Sequence, residues 1–343
     1  MVIHPRDGDL VLGTFGRAAY VIDDLAPLRA LAAEGNGLME ENLRVFAIPD
    51  AYQVNFRRHA GARFPADHFW SGENYGGGAR VQFYVHPDTA SAYGEDDLKW
   101  SVLNGQGDTL RHGAMTADGG IQSMRWRFDT NGMDWPQRQL KEKQDTPSGG
   151  GPDVLPGTYT LAMALGNHTG SEEVTVHPDP RVRYDRQAHE ARNLHQRIAM
   201  EAAKPIAEGM NEIQRMVATI ETVQGDLKWI PDSLKEEANA LTDSLTGELT
   251  RVEELYYEPK DFEGIESVTE RLSSVMWTAF SVNGGAEAPG GNAQRALERL
   301  HMEGAAFAEE VRVIQEGLWQ EWLEAVEAID RSPSRLYEGT QKD

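Results

Sequence analysis

The chain of 343 residues reads as a multidomain α+β protein: an opening β-hairpin, a β-sandwich and a C-terminal antiparallel helical bundle. Three observations carry that prediction. Two short apolar runs, Leu10 to Leu12 and Ala19 to Ile22, flank Gly16 near the start, with no further short strand close behind them. Short stretches of alternating hydrophobicity, bounded by turn residues, then recur over about a hundred residues. From about Tyr184 the apolar period changes from two to 3.6, the signature of amphipathic helices. The expected segments are 1–31 for the hairpin and its exit, 32–77 for a packed linker, 78–180 for the sandwich, 181–331 for a four-helix bundle and 332–343 for a disordered tail.

The hairpin comes first. A two-stranded hairpin is marginal in water, so these strands are expected to belong to a sheet that other polypeptide completes, either an upstream segment or a separate chain. The spacing of Gly13-Thr-Phe-Gly-Arg17 between two strands, followed by Asp23-Asp-Leu-Ala-Pro-Leu28, is similar to the closing blade of large secreted β-propellers with neuraminidase-type or sortilin-type repeats. Members of that family are often classed as glycosyl hydrolases, and Phe15 stands where the family usually places His. The resemblance implies structural roles in blade closure for Gly13, Gly16, Arg17, Asp23 and Asp24, a propeller-bearing partner, and a secreted or periplasmic location.

Leu25 to Leu31 has short helical spacing and leads into an irregular stretch from Glu34 to Gly78, rich in Gly, aromatic and basic residues. Tyr52-Gln-Val-Asn-Phe56 and His68-Phe-Trp70 are expected to lie in packed linker, since long structureless loops are uncommon inside compact domains.

Strand signals follow at Val81 to Val85, Leu98 to Leu103, Asp108 to Arg111, Met124 to Asp129, Pro156 to Leu165 and Glu173 to Val176, with Asn104-Gly-Gln-Gly107 as a turn. Leu103 to Leu110, Trp126 and Pro156-Gly-Thr-Tyr159 resemble the Ig-like module of flagellar hook-cap proteins and of the tails of many secreted bacterial enzymes. In Pro156-Gly-Thr-Tyr159 the tight turn sets the register, and the tyrosine buries its ring with its hydroxyl able to reach backbone. Residues 131–153, with Trp135 and Ser148-Gly-Gly-Gly-Pro152, read as a flexible insertion.

Four helices are expected. The first carries Leu194, Ile198, Ile206, Met210, Ile213, Val217 and Ile220, is kinked or broken at Pro205 and stops at Gly225. The second opens with Ser233 and Glu236 at capping-box spacing and ends at Pro259. The third runs from about Ile265 to Val282, and the fourth from Asn292 to Ile329. Their stripes would bury against one another.

Composition excludes several function classes. A net charge of -22 argues against nucleic acid or anionic membrane as partner, since both need clustered Lys and Arg. With no cysteine there is no disulfide framework, thiol nucleophile or Cys-ligated zinc. No apolar run is long enough to span a bilayer. Gly-x-Ser-x-Gly is absent, and Gly76-Gly-Gly78 and Gly149-Gly-Gly151 lack the Lys and Ser/Thr of a phosphate loop. His189 and His195 are six apart, on nearly opposite sides of a helix, and are expected on a solvated face rather than as zinc ligands. Asp129 to Asp134 lacks the full calcium loop and reads as a turn held by Asx side chains. No metal or other cofactor is expected.

Glycoside hydrolysis needs two acids flanking one bond, and Asp23-Asp24 is the only pair in a propeller-like context. Adjacent strand residues point to opposite faces, so a structural role is expected, with hydrogen bonds from backbone or Arg17. Trp100 and Trp126 are expected in the sandwich core, and Trp319 and Trp322 in the bundle core or at a seam with the sandwich. The loop aromatics Trp70, Tyr75 and Trp135 are the candidates for stacking on a sugar. The functional expectation is a non-catalytic accessory region that closes a propeller and presents its other domains to partners. The alternatives are a cleft contribution to a glycosidase-like hydrolase and a carbohydrate-binding module.

Overall fold

A computed structural model describes residues 1–5, 7–54, 76–95, 97–138, 149–259, 270–281 and 287–329. The fold is mixed α and β, with several small sheets followed by a helical region. It divides into two compact units: Met1–Gly132 with Gly150–Arg186, and Met133–Gly149 with Gln187–Asp343. The segment expected as an insertion in the sandwich therefore belongs largely with the helices.

In the first unit, β1 (Val2–Ile3), β2 (Leu10–Gly13) and β3 (Ala19–Ile22) form a three-stranded sheet in that order. The short helix α1 (Ala26–Glu34) follows. Then come β4 (Leu43–Val45), β5 (Ala51–Gln53), β6 (Ala79–Val85), α2 (Pro87–Ser91), β7 (Leu98–Leu103), β8 (Thr109–Met115), β9 (Gly120–Trp126), β10 (Asp129–Asn131), β11 (Gly150–Asp153), β12 (Gly157–Leu165) and β13 (His168–Pro178). One sheet has the order β5-β13-β12-β7-β8, another β4-β6-β9, and β10 pairs with β11. Val81, Phe83 and Val85 of the three-stranded sheet share one core with Val102, Leu161, Met163 and Val174 of the five-stranded sheet.

The reason β6 is buried on both faces is that Tyr84, pointing opposite to Phe83, packs with Leu38 and Phe46 under α1 and donates to the Met39 carbonyl at 3.0 Å. The stretch expected as linker thus contributes structure: β4 pairs antiparallel with β6, and β5 runs parallel to β13. Three-residue strands are too short for an alternating pattern to stand out. The Asn104–Gly107 turn forms as expected, with Asn104 Oδ1 accepting from the Gln106 and Asp108 amides at 2.9 Å. Tyr159 also behaves as the sequence implies, its hydroxyl donating to the Leu155 carbonyl at 2.5 Å. At Gly166 the φ of +57° and a built Cβ only 1.9 Å from the Tyr93 hydroxyl admit nothing larger than glycine.

In the second unit the helices are α3 (Arg186–Leu227), α4 (Glu236–Tyr256), α5 (Leu272–Phe280), α6 (Gly291–Glu316) and α7 (Leu318–Glu327). Ile206, Met210, Ile213, Leu245, Leu249, Met276, Leu300, Phe307 and Trp322 lie in their common core. Several expectations change here. The helix α3 runs without a break through Pro205 and past Gly225. A proline inside a helix costs about 3 kcal/mol, but Ala202, Ala203, Ile206 and Ala207 are all buried around it, and that packing carries the helix across.

The inward face at the start of α3 also differs. Leu194 and Ile198 are about half exposed, whereas Ala188, His189, His195, Ala199 and Ala202 are buried. Both histidines are therefore core residues rather than solvated ones, and His195 Nε2 lies 2.9 Å from the Ala279 carbonyl. Ser233 falls in a short 3-10 turn, and α4 begins after Lys235 with no side-chain cap. Lys235 instead reaches back so that its Nζ donates to the Leu227 carbonyl at the end of α3, at 3.1 Å. Gly317 divides the expected last helix into α6 and α7. The expected start of the third helix at Ile265, its Val282 end and the tail from 332 lie outside the described residues.

Candidate functional site

The β1–β3 sheet is the feature of the first unit that its own core leaves unexplained. Leu10 faces Ile22, Val11 faces Val21, Leu12 faces Tyr20 and Gly13 faces Ala19, so both strands fall where their apolar runs predict. The loop between them closes through the Thr14 amide and hydroxyl, both donating to the Ala18 carbonyl at 3.1 and 2.7 Å. Gly16 sits at φ +81°, a conformation glycine adopts freely. Gly13 has open space where a Cβ would stand, so glycine there answers no local crowding.

Successive strand residues point to opposite faces. Tyr20, Val21 and Ile22 are nevertheless all exposed, at 54, 55 and 45%. Neither face of β3 is covered, and among the described residues no strand pairs with its outer edge. Val2, Ile3 and Val11 are exposed on the same small sheet, and Phe15 is exposed in the loop between β2 and β3. The two residue pairs that β1 adds, Val2 with Val11 and Ile3 with Leu10, give half of β2 a partner within the chain, and among the described residues the outer edges of β1 and β3 have no partner strand.

The base of this sheet is fixed by charge. Arg80 donates to Asp23 at 2.6 Å, and the Asp24 amide donates to Asp9 Oδ1 at 2.8 Å. Asp24 Oδ1 accepts from the Ala26 amide at 3.0 Å, a local Asx-type bond just ahead of α1, whose N-cap is Leu25. Arg17, expected as the partner of these carboxylates, is exposed and pairs with neither; Arg80 takes that place. Asp24 itself is buried, has φ +52°, and its Oδ2 has no partner among the described residues.

Burial pushes the Asp24 carboxyl above the usual carboxylate range, outweighing the downward pulls of the Ala26 amide and Arg80. With the folded value raised, stability falls as pH rises from the ordinary carboxylate value through the raised one, and the charge remains a cost at neutral pH. Asp24→Asn keeps the oxygen that accepts from the Ala26 amide, tolerates the positive φ and carries no charge. The variant is expected to be more stable near neutral pH by roughly 1 kcal/mol, with the gain shrinking as the pH is lowered; melting temperatures across that range check it.

A second feature is a cleft of about 560 Å³ lined by Tyr52, Val54, Gly76, Arg80, Asp179 and Arg181, among others. Its charged groups are paired: His177 stands 2.9 Å from Asp50, with its ring stacked on Tyr52 at 5.1 Å, and Arg181 donates to Asp179 at 2.6 Å. The Arg181 guanidinium holds the Asp179 carboxyl down at about 2. Val54 and Gly76 flank the segment that contains Trp70 and Tyr75, both outside the described residues. Trp135 is half-buried against Phe280, with ring centroids 4.9 Å apart, and packs on the helical core.

The other candidates do not assemble chemistry. Asp129 to Asn131 forms β10 rather than a turn, and Asn131 bonds both the backbone and the ring of His112. Among the described residues no group of His, Asp and Glu could hold a metal ion. No described helix is long and apolar enough to cross a membrane. Comparison with known proteins gives no match: no family model, no curated protein and no solved structure is similar to this chain.

Proposed function

We propose that this chain is a non-catalytic interaction region of a secreted or periplasmic β-propeller protein. In this reading β1–β3 is the closing blade, its open edge taken by propeller polypeptide of the same or another chain. The five-stranded and β4-β6-β9 sheets, which share one core, serve as an Ig-like module, and the helices present a surface to partners. The observation that carries the reading is the exposure of three consecutive residues on β3, which a self-contained sheet with one packed face would not show. Asp23 is engaged by Arg80 and Asp24 is buried and bonded to the Ala26 amide, which supports a structural rather than a catalytic use of the pair.

Incubating the full chain with a panel of fluorogenic glycosides tests this. No release above background is expected. Hydrolysis by the chain alone, abolished in Asp23→Asn or Asp24→Asn, would show that the glycosidase alternative is the right one. The cleft beside Tyr52 keeps a carbohydrate-binding reading in view, since a partly exposed ring and paired ions suit a neutral polyol.

A further inference from the structure

The dipeptide Asn-Gly occurs at Asn36, Asn104, Asn131 and Asn283, the last outside the described residues. It is open to self-modification, because glycine has no side chain to shield its amide nitrogen from the asparagine side chain before it. All these pairs share that chemistry. What separates them is the structure around each.

Asn104 is held in place: its Oδ1 accepts from the Gln106 and Asp108 amides at 2.9 Å, and its Nδ2 donates to Asp108 Oδ2 at 2.9 Å. Asn131 lies in β10 opposite Gly150 of β11, its Oδ1 accepts from the His112 amide at 3.2 Å, and its Nδ2 stands 2.8 Å from His112 Nδ1. Asn36 has no such restraint. It is exposed, its side chain makes no hydrogen bond among the described residues, and a Cβ built on Gly37 would meet nothing within 4 Å. Its backbone belongs to a 3-10 helix over Gly35–Glu40, a form whose poor hydrogen-bond geometry lets it open locally at low cost.

We infer that Asn36 is a site of self-deamidation, a modification against which Asn104 and Asn131 are held by their hydrogen bonds. The Gly37 amide nitrogen attacks Asn36 Cγ, and a C–N bond forms as the bond from Cγ to Nδ2 breaks. The proton lost by Gly37 passes through water to the departing nitrogen, which leaves as ammonia. Water then adds to either carbonyl of the five-membered imide, giving aspartate or isoaspartate with no change of oxidation state. Isoaspartate routes the main chain through the former side chain and so lengthens it by one methylene just ahead of Leu38. Leu38 is 1% exposed and packs with Phe46 and Tyr84, and the Met39 carbonyl accepts from the Tyr84 hydroxyl. The modification therefore loosens the cover over the outer face of β6.

Peptide mapping by mass spectrometry tests the assignment, on the full chain aged at mildly alkaline pH either folded or unfolded in urea. Breaking two or three hydrogen bonds of ordinary net strength amounts to at least roughly tenfold in rate, so folded Asn36 is expected to lose its amide at least that much faster than Asn104 and Asn131. In urea the three rates are expected to converge, since each asparagine precedes glycine alike. Asn36→Gln, whose longer side chain must close a larger and slower ring, is expected to keep its melting temperature on ageing while that of the parent falls. Equal rates at the three sites in the folded chain, or faster loss at Asn104 or Asn131, would overturn the site. A parent fully converted at Asn36 that melts like fresh protein would overturn the effect on Leu38.

Discussion

Trp126→Ala is expected to destabilise the first unit by about 3–5 kcal/mol, a large share of a typical domain's 5–15 kcal/mol. The indole is 1% exposed and sits in the core shared by the two sheets. Its ring meets Phe128 and Tyr159 edge-on, at centroid distances of 5.6 and 5.4 Å, and its Nε1 donates to the Asp129 carbonyl at 2.9 Å. Phe128 holds φ +67°, a strained value for an aromatic residue that this packing has to maintain. Truncation removes two ring contacts and one hydrogen bond together. Trp126→Phe, which restores ring area and leaves the Asp129 carbonyl without its donor, should recover part of the loss. Urea denaturation followed by a probe of the first unit measures both, and an alanine variant within about 0.5 kcal/mol of the parent would remove Trp126 from the core described above.

The second large effect lies in the helical unit. Trp322 is fully buried, stacks on Trp319 at 5.1 Å, and donates through Nε1 to Thr242 Oγ1 at 2.8 Å, while that hydroxyl donates to the Ala238 carbonyl at 2.7 Å. Trp322→Ala leaves the threonine with its carbonyl partner, so the cost is mostly cavity, about 3–5 kcal/mol. Thr242→Val removes the acceptor from a buried indole and should cost about 1–3 kcal/mol. Loss of helical circular dichroism with temperature checks the pair, and an unchanged melting point in Trp322→Ala would contradict the assignment.

The sequence carries the period of each region and the short-range turns more clearly than it carries the fate of single residues. The hairpin at Leu10–Gly13 and Ala19–Ile22 and the turn at Asn104–Gly107 are legible because glycine and Asx chemistry act within a few residues. The continuity of α3 through Pro205 is not, because burial of Ala203 and Ile206 by other helices decides it. The inward face at the start of α3 is hidden for a related reason: His189 and His195 go in and Leu194 and Ile198 stay out, against hydropathy, and His195 meets the Ala279 carbonyl of α5, 84 residues away.

Capping near residue 233 depends on where the 3-10 turn places Lys235, which the spacing of Ser233 and Glu236 does not reveal. In the candidate site, Asp23 and Asp24 are legible as structural carboxylates, but Arg80 as the partner of Asp23 lies 57 residues away and leaves no local signal.

Amide hydrogen exchange on β3 tests the open edge most directly, comparing this chain alone with the protein isolated from its native source. In the chain alone, the amides of Ala19 to Ile22 that face away from β2 are expected to exchange at nearly the rate of unstructured peptide, and to become protected in the native assembly. Protection of those amides already in the chain alone, or none in the assembly, would contradict a blade edge that another strand completes.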